Sequence, residues 1–366
     1  MMNILEKYAD LLVNYCVSLE PGQKLYINSS TLAEPLVREV YRAALKAGGI
    51  ALVSLDFRDQ GLITLEEGSD AHLQFVDPYY AMAMQDFDAY IHIRAPFYSI
   101  SPKSASGDRQ QLYTKARAPY SKLYSERTGK FELKRNLCEY PTIAHAQNAG
   151  MTLEEFSDFI FNACCLYEEN PAEEWRKVSR SQQKIVDVLN TKDKIRYKGE
   201  NIDISFRVKD RIWINSDGKT NMPSGEVYTA PIEDTVNGTI HFAYPSMYQG
   251  QEVEGITLWV KDGQVEKWEA KKGKTLLDKI FAIEGARYFG EVAIGTNTRI
   301  QRPVKNILYD EKIGGTVHMA VGQTYYQCGG KNQSSIHWDM IADMKKGGEI
   351  WADDDKIYDS GKFLFL

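Results

Sequence analysis

The chain has 366 residues, of which 43% are hydrophobic and 26% charged, and its formal net charge is -6. That length suits two domains with sizeable cores, and the acidic balance argues against a nucleic-acid-binding surface, which would be basic. No apolar run approaches the ~20 residues a membrane helix needs, so no membrane partner is expected. The N-terminal MMNILEKYADLL mixes acids with apolar residues and offers no small-residue cleavage site. It does not read as a signal peptide, and a cytoplasmic location is expected. The cysteines Cys16, Cys138, Cys164, Cys165 and Cys328 form no CxxC pair, so neither a disulfide framework nor a catalytic thiolate is expected.

Ile4, Leu5, Tyr8, Leu11, Leu12 and Tyr15 recur at helical spacing and predict a helix over 3–16. KLYIN (24–28) reads as a strand, Ser29 to Thr31 can cap a helix over 34–47, and IALVSL (50–55) reads as a buried strand. Strand, helix and strand with short joints make a βαβ unit and imply a parallel sheet. AYIHIRA (89–95) adds a further strand. The glycines form no GxGxxG or Walker A pattern, so no nucleotide cradle is expected. Residues 96–137 are rich in Arg, Lys, Ser and Tyr, with a helix over 108–126. GMTLEEFSDFIFNACCLY (150–167) is a helix capped by Thr152 with Glu154 and Glu155 in its first turn. An amphipathic helix over 172–190 leads to a domain boundary near Asn190. The fold expected is an α/β N-terminal domain with a parallel sheet (1–190) followed by an α+β C-terminal domain rich in antiparallel strands (191–366). In that second part Asp262-Gly263 between alternating runs signals a hairpin, and KTLLDKIFAIEGARY (274–288) is its one clear helix.

The chemistry concentrates in DEKIGGTVHMAVGQTYYQCGGKNQSSIHWDM (310–340). His337 and Asp339 are two apart in a predicted strand, so both leave one face while Trp338 leaves the other. An imidazole and a carboxylate on one face are ligand types for zinc, cobalt or manganese. His318 lies in the same block, and Glu226, Glu291 and Glu311 sit beside glycines at strand starts or turns. If these six converge, four buried carboxylates would repel one another unless cations lie among them. Two divalent ions would neutralise them and acidify a water toward pKa ~7. Glu226, between Pro223 and Pro231, is expected on an edge strand or rim. Tyr325 could donate to a tetrahedral oxyanion. His92 and His241 lie in strands and read as packed core histidines, whereas His72 and His145 lie in polar surroundings and read as surface residues.

These residues resemble the thermophilic-type metallo-aminopeptidases, family M29. The matching pieces are NMPSGEVYTAP (221–231), GEVA (290–293), DE (310–311), HMAVGQTY (318–325) and NQSSIHWDMI (332–341), with further likeness at 35–49 and 140–156. The resemblance implies a metal site that holds two divalent ions (zinc, cobalt or manganese) on Glu226, Glu291, Glu311, His318, His337 and Asp339. It places Tyr325 where the family has its active-site tyrosine, and Glu291 or Glu226 becomes the proton acceptor. It also implies a homodimer acting on the N-termini of peptides. Two departures mark this chain: Lys312 follows Asp310-Glu311 where the family has Asn, and the Gly314-Gly315 insertion sets His318 further from Glu311. The basic, Tyr-rich insert at 96–126 is expected to shape substrate preference. The rival readings are a dimetal hydrolase of another small amide and a non-enzymatic dimeric binding protein.

Overall fold

The computed structural model describes residues 2–99, 107–248 and 250–366, so residues 100–106 of the basic, Tyr-rich insert lie outside the described residues. Two compact units form, Met1–Glu173 with Gly218–Pro223, and Glu174–Asp217 with Ser224–Leu366. The helix Pro171–Leu189 runs with the second unit from Glu174 onward. The boundary read from sequence, Asn190, lies at that helix's far end.

The first unit holds the parallel sheet that the βαβ pattern predicts. Its strands lie in the order Ile50–Asp56, Lys24–Ser30, Ala89–Arg94, Lys134–Glu139 and Asn221–Met222, and every pairing is parallel. Leu25, Ile27, Ile91 and Ile93 share one face of this sheet and are fully buried. The helix Glu34–Lys46 buries Leu36, Val37, Val40 and Ala44, one stripe of its surface, and carries Pro35 in its first turn, where no N–H is needed. Thr152 caps the helix Leu153–Ala163 through a reciprocal box with Glu155, as predicted. The basic insert has a structural use here. In the long helix Gly107–Gly129 three arginines reach the carbonyl ends of three short helices, Gln60–Glu67, Asp70–Gln74 and Pro78–Asp86. Arg109 donates to the Leu65 and Gly68 carbonyls, Arg117 to those of Leu73 and Phe75, and Arg127 to those of Met84 and Phe87. A helix end leaves carbonyls unpaired and partly negative, and a guanidinium satisfies both needs.

The sheets of the second unit are antiparallel. An eight-stranded sheet runs in the order 264–269, 256–261, 237–242, 202–207, 194–199, 349–352, 355–359, 362–363. Asp262-Gly263 makes the predicted hairpin turn between its first two strands. The other main sheet contains β1 (Ile214–Ser216), β2 (Glu226–Thr229), β3 (Phe289–Gly295), β4 (Thr316–Gly322) and β5 (His337–Asp343), in the order β5-β4-β3-β2-β1. Both sheets contribute to one core, which includes Ile195, Tyr197, Ile204 and Leu258 from the first and Val292, Ile294, Met319 and Met340 from the second. The helix expected over 274–288 stops at Ile280. Gly285 takes φ +73°, and a Cβ there would lie 2.0 Å from the Gln333 carbonyl oxygen, so the chain must leave helical geometry before it.

Candidate metal centre

The register of the five-stranded sheet builds the centre. Ala320 lies opposite both Glu291 and Asp339, His318 lies opposite Ala293, Gly322 lies opposite His337, and Gly295 lies opposite Glu226. Paired residues share a face and side chains alternate, so Glu226, Glu291, His318, His337 and Asp339 all leave the same side. The other side carries Val227, Val292, Ile294, Val317, Met319, Val321, Trp338 and Met340 into the core. Trp338 is anchored there by its indole N–H, which donates to the Ser246 hydroxyl at 2.9 Å. Ala293, Gly295, Ala320 and Gly322 stand among the polar groups on their own face, which leaves room above those positions, while Ile341 and Tyr228 flank them. Glu226 is not on an edge strand, because β1 pairs outside it through Ser216. The sequence signal, two flanking prolines, missed β1 because a three-residue strand has too little pattern to read.

The polar groups lie within ion-pair range of one another. His318 Nε2 is 3.4 Å from Glu226 Oε2 and 3.6 Å from Glu291 Oε1, and His337 Nε2 is 3.1 Å from Glu291 Oε2 and 3.5 Å from Asp339 Oδ1. Glu291 therefore sits between the two imidazoles. Glu311 joins despite its altered spacing. Its carboxylate, His318 and Asp339 bring ligand atoms within 4.8 Å of one another, as do Glu226–Glu291–His318 and Glu291–His337–Asp339. Asp310, its neighbour in the Asp-Glu pair, has another task. It accepts the backbone N–H groups of Val304 at 2.7 Å and Asn306 at 3.1 Å, which fixes the loop that presents Glu311.

Sequence reasoning did not place Lys312 or Tyr228 in the centre. Lys312 is fully buried, and its ammonium donates to Glu226 Oε1 at 2.7 Å and to Glu311. The available signal was a lone lysine between an acid and an apolar Ile-Gly-Gly run. Tyr228 shares the ligand face through its pairing with Ala293, and its ring centroid lies 5.4 Å from that of Tyr325. Tyr325 stacks beside His337 at 5.0 Å between ring centroids, with 36% of its surface exposed. Loss of solvent around the phenol, with Glu291, Asp339 and Glu311 nearby, holds its pKa well above the usual value, so it stays a donor.

The electrostatics fit a divalent cation. Burial works against charge on both histidines, but the carboxylates outweigh it. His318 is pushed up to about 9 by Glu291 and Glu226, and His337 is held well above its ordinary value by Asp339 and Glu291. Burial would raise Asp339, yet His337 takes it down to about 2. Burial and the charges of Glu226 and Asp339 push Glu311 up to about 8 against the pull of Lys312. Even so, Glu226 Oε2, His318 Nε2, His337 Nε2 and Asp339 Oδ1 are buried without hydrogen-bond geometry to any partner among the described residues. Buried polar atoms left so are costly, and one ion among them would satisfy several at once. The other imidazole nitrogen of His337, Nδ1, lies 2.7 Å from the Gln323 carbonyl oxygen. That carbonyl accepts the Nδ1 proton and leaves Nε2 as the ligand atom, the arrangement typical of metal-binding histidines.

The histidines outside the centre have other partners. His92 lies 2.9 Å from Asn28 and His241 2.9 Å from Thr257, as expected of packed strand residues. His72 closes a capping box with Ser69. His145 is not a surface residue: it is mostly buried, 3.3 Å from the buried Glu139 carboxylate. Cys328 is buried and its thiol pKa is pushed up by burial, which agrees with the absence of a thiolate role.

Three carboxylates and two imidazoles on a sheet face, with Glu311 reaching in from the loop after Asp310, place the chain among proteins that could use a divalent ion for hydrolysis. Comparison with known proteins makes the class specific. The family described as "Thermophilic metalloprotease (M29)" matches residues 1–363, and the chain belongs to it. It is thereby a hydrolase of the peptidase type. "Aminopeptidase 2" of Geobacillus stearothermophilus is 28% identical over 357 residues, covering 88% of this chain and 84% of its own. "Aminopeptidase T" of Thermus thermophilus is 25% identical over 403 residues, covering 98% and 95%. Among solved structures, wild-type AmpT from Thermus thermophilus has the same fold, with a TM-score of 0.84 at 22% identity over 99% of both chains.

Proposed function

We propose that this protein is a metal-dependent aminopeptidase that removes N-terminal residues from peptides. The observation that carries the reading is the unpartnered set Glu226 Oε2, His318 Nε2, His337 Nε2 and Asp339 Oδ1, gathered on one sheet face around Glu291. The residues that would hold divalent ions are Glu226, Glu291, Glu311, His318, His337 and Asp339. Two ions, of zinc, cobalt or manganese, follow from the family resemblance. When bound, such an ion supplies Lewis-acid polarisation of a carbonyl and acidification of water. The chain's own groups do the rest. Glu291, or Glu226 beside it, accepts the proton from the attacking water and passes it to the leaving amine. Tyr325, protonated at neutral pH, donates its hydroxyl to the oxygen that becomes negative at the scissile carbon. A homodimer in the cytoplasm is part of the same proposal.

The test uses protein dialysed against a chelator and assayed on aminoacyl anilides. Hydrolysis is expected to vanish and to return with added cobalt, manganese or zinc, and Glu291→Gln is expected to lower kcat by about 10²–10⁴. Hydrolysis that persists after complete metal removal would end the proposal. Cleavage confined to blocked N-termini would replace the aminopeptidase with a hydrolase of another amide.

A further inference from the structure

We propose that Lys312 is a built-in cation of the metal centre. Its ammonium holds the place of one divalent ion beside Glu226 and Glu311. The resting protein then loads one ion tightly, on Glu291, His337 and Asp339, and a second only by displacing the lysine. The inference rests on reading this cluster as a metal centre and concerns how it fills.

Three observations carry it. The first is the lysine's position. Lys312 has no exposed surface, and its ammonium donates to Glu226 Oε1 at 2.7 Å and to Glu311. The second is that its backbone aims it there. The Lys312 N–H donates to the Tyr309 carbonyl at 3.0 Å, its carbonyl accepts the Asn297 N–H at 2.9 Å, and the next residue, Ile313, bridges to Asn297. A buried ammonium withdrawn from both carboxylates would be left unpaired, at high cost. The third is the way the ligand groups divide. Of the three trios among the described residues, one uses Glu226 and another uses Glu311; Glu291–His337–Asp339 alone avoids both carboxylates that Lys312 engages.

Charge balance points the same way. Two divalent ions neutralise four carboxylates, and the lysine would then leave a net positive centre. One ion and the lysine already offset three of the four carboxylate charges, and His318, outside the Glu291–His337–Asp339 trio, lies beside Glu226 and Glu291. A second ion on Glu226 or Glu311 must also sit beside the ammonium, and like charges at a few ångströms in a buried site repel strongly.

The experiment is a cobalt(II) titration of the chelator-stripped full chain by calorimetry, with metal content after desalting measured by elemental analysis. The wild type, Lys312→Met and Lys312→Gln are compared, each checked for folding by circular dichroism, with His337→Ala as a control. The wild type is expected to keep one equivalent of cobalt per chain after desalting and to bind a second at least ~100-fold more weakly. Removing the charge in either folded variant is expected to bring the second equivalent to within about tenfold of the first. Two equally tight equivalents in the wild type overturn the inference, and so does an unchanged ratio in a folded variant. Should neither variant fold, the wild-type count decides alone. A wild type that holds no tight cobalt, with His337→Ala indistinguishable from it, instead sinks the metal-centre reading itself.

Discussion

Metal uptake by the stripped protein should release protons, and the structure says from where. His337 Nδ1 lies 2.7 Å from the Gln323 carbonyl oxygen, and Nε2, without hydrogen-bond geometry to a partner, lies 3.1 Å from the Glu291 carboxylate. Burial opposes its charge, but Asp339 and Glu291 overrule it and keep its pKa well above normal. At neutral pH it is therefore an imidazolium. A ligating imidazole must be neutral at the bonding nitrogen, so an ion that takes Nε2 displaces one proton. An ion that also takes His318, whose pKa is raised to about 9, displaces a second. Protons thus compete with the metal, and apparent affinity rises with pH. The slope is about 1.4 kcal/mol, or tenfold, per pH unit for each proton displaced. It persists while pH stays below the metal-free imidazole pKa and flattens above it. Calorimetric titration with cobalt(II) in two buffers of different ionisation enthalpy gives the proton count directly. No proton release, together with an affinity flat from about pH 6 to 8, would refute the reasoning.

If Tyr325 is the oxyanion donor of the proposed function, Tyr325→Phe should lower kcat by about 10²–10³ while metal content after desalting stays unchanged; equal loss of metal would make it structural. Arg127→Ala should destabilise the first unit by about 1–3 kcal/mol, since it strips the guanidinium from the Met84 and Phe87 carbonyls, and thermal unfolding with cobalt content as a control would measure it. His92 gives a pH signature. Burial, with Arg94 nearby, lowers its pKa to about 4, so it is neutral in the folded chain. As pH falls, the unfolded chain takes up that proton first, from ~6.5. Stability from this residue is thus intact above ~6.5 and is lost between there and about 4. His92→Asn should flatten that part of the stability profile measured by denaturant unfolding, and an unaltered slope would discount it.

The parts of this fold that obey a period were legible from sequence. Strand alternation put His337 and Asp339 on one face and Trp338 on the other, and helical stripes located the helices at 4–16, 34–46, 107–129 and 153–163 to within a few residues, while the short helices Gln60–Glu67, Asp70–Gln74, Pro78–Asp86 and Ile143–Ala149 carried too little pattern to be read. Features set by tertiary register were not legible. Glu311 reaches the centre because Asp310 clamps its loop and the turn through Gly314-Gly315 returns the chain to β4; the spacing of acids and histidines alone pointed the other way. Lys312 read as a departure from the Asp-Glu pattern, and only its burial reveals an ion pair within the cluster. His145 looked like a surface histidine, but it is packed between the buried Ala144 and Ala146 and its partner, Glu139, ends the preceding strand. The arginines of 107–129 looked like a charged face; Arg109, Arg117 and Arg127 reach backbone carbonyls 40 to 44 residues upstream, which no side-chain pattern can announce.

The stubby floor of the centre has a further consequence. Ala293, Gly295, Ala320 and Gly322 offer nothing larger than a methyl on the ligand side. Gly322 cannot grow, because a Cβ there would lie 2.2 Å from the Ile336 carbonyl oxygen, and at Gly295 it would lie 2.2 Å from that of Ile313. Those four positions are thus a fixed anvil, from which no side chain can lean over and sort one substrate from another. Discrimination between peptides has to be written into whatever overhangs that surface, so variants that alter specificity while sparing catalysis belong in loops, away from these four strand positions.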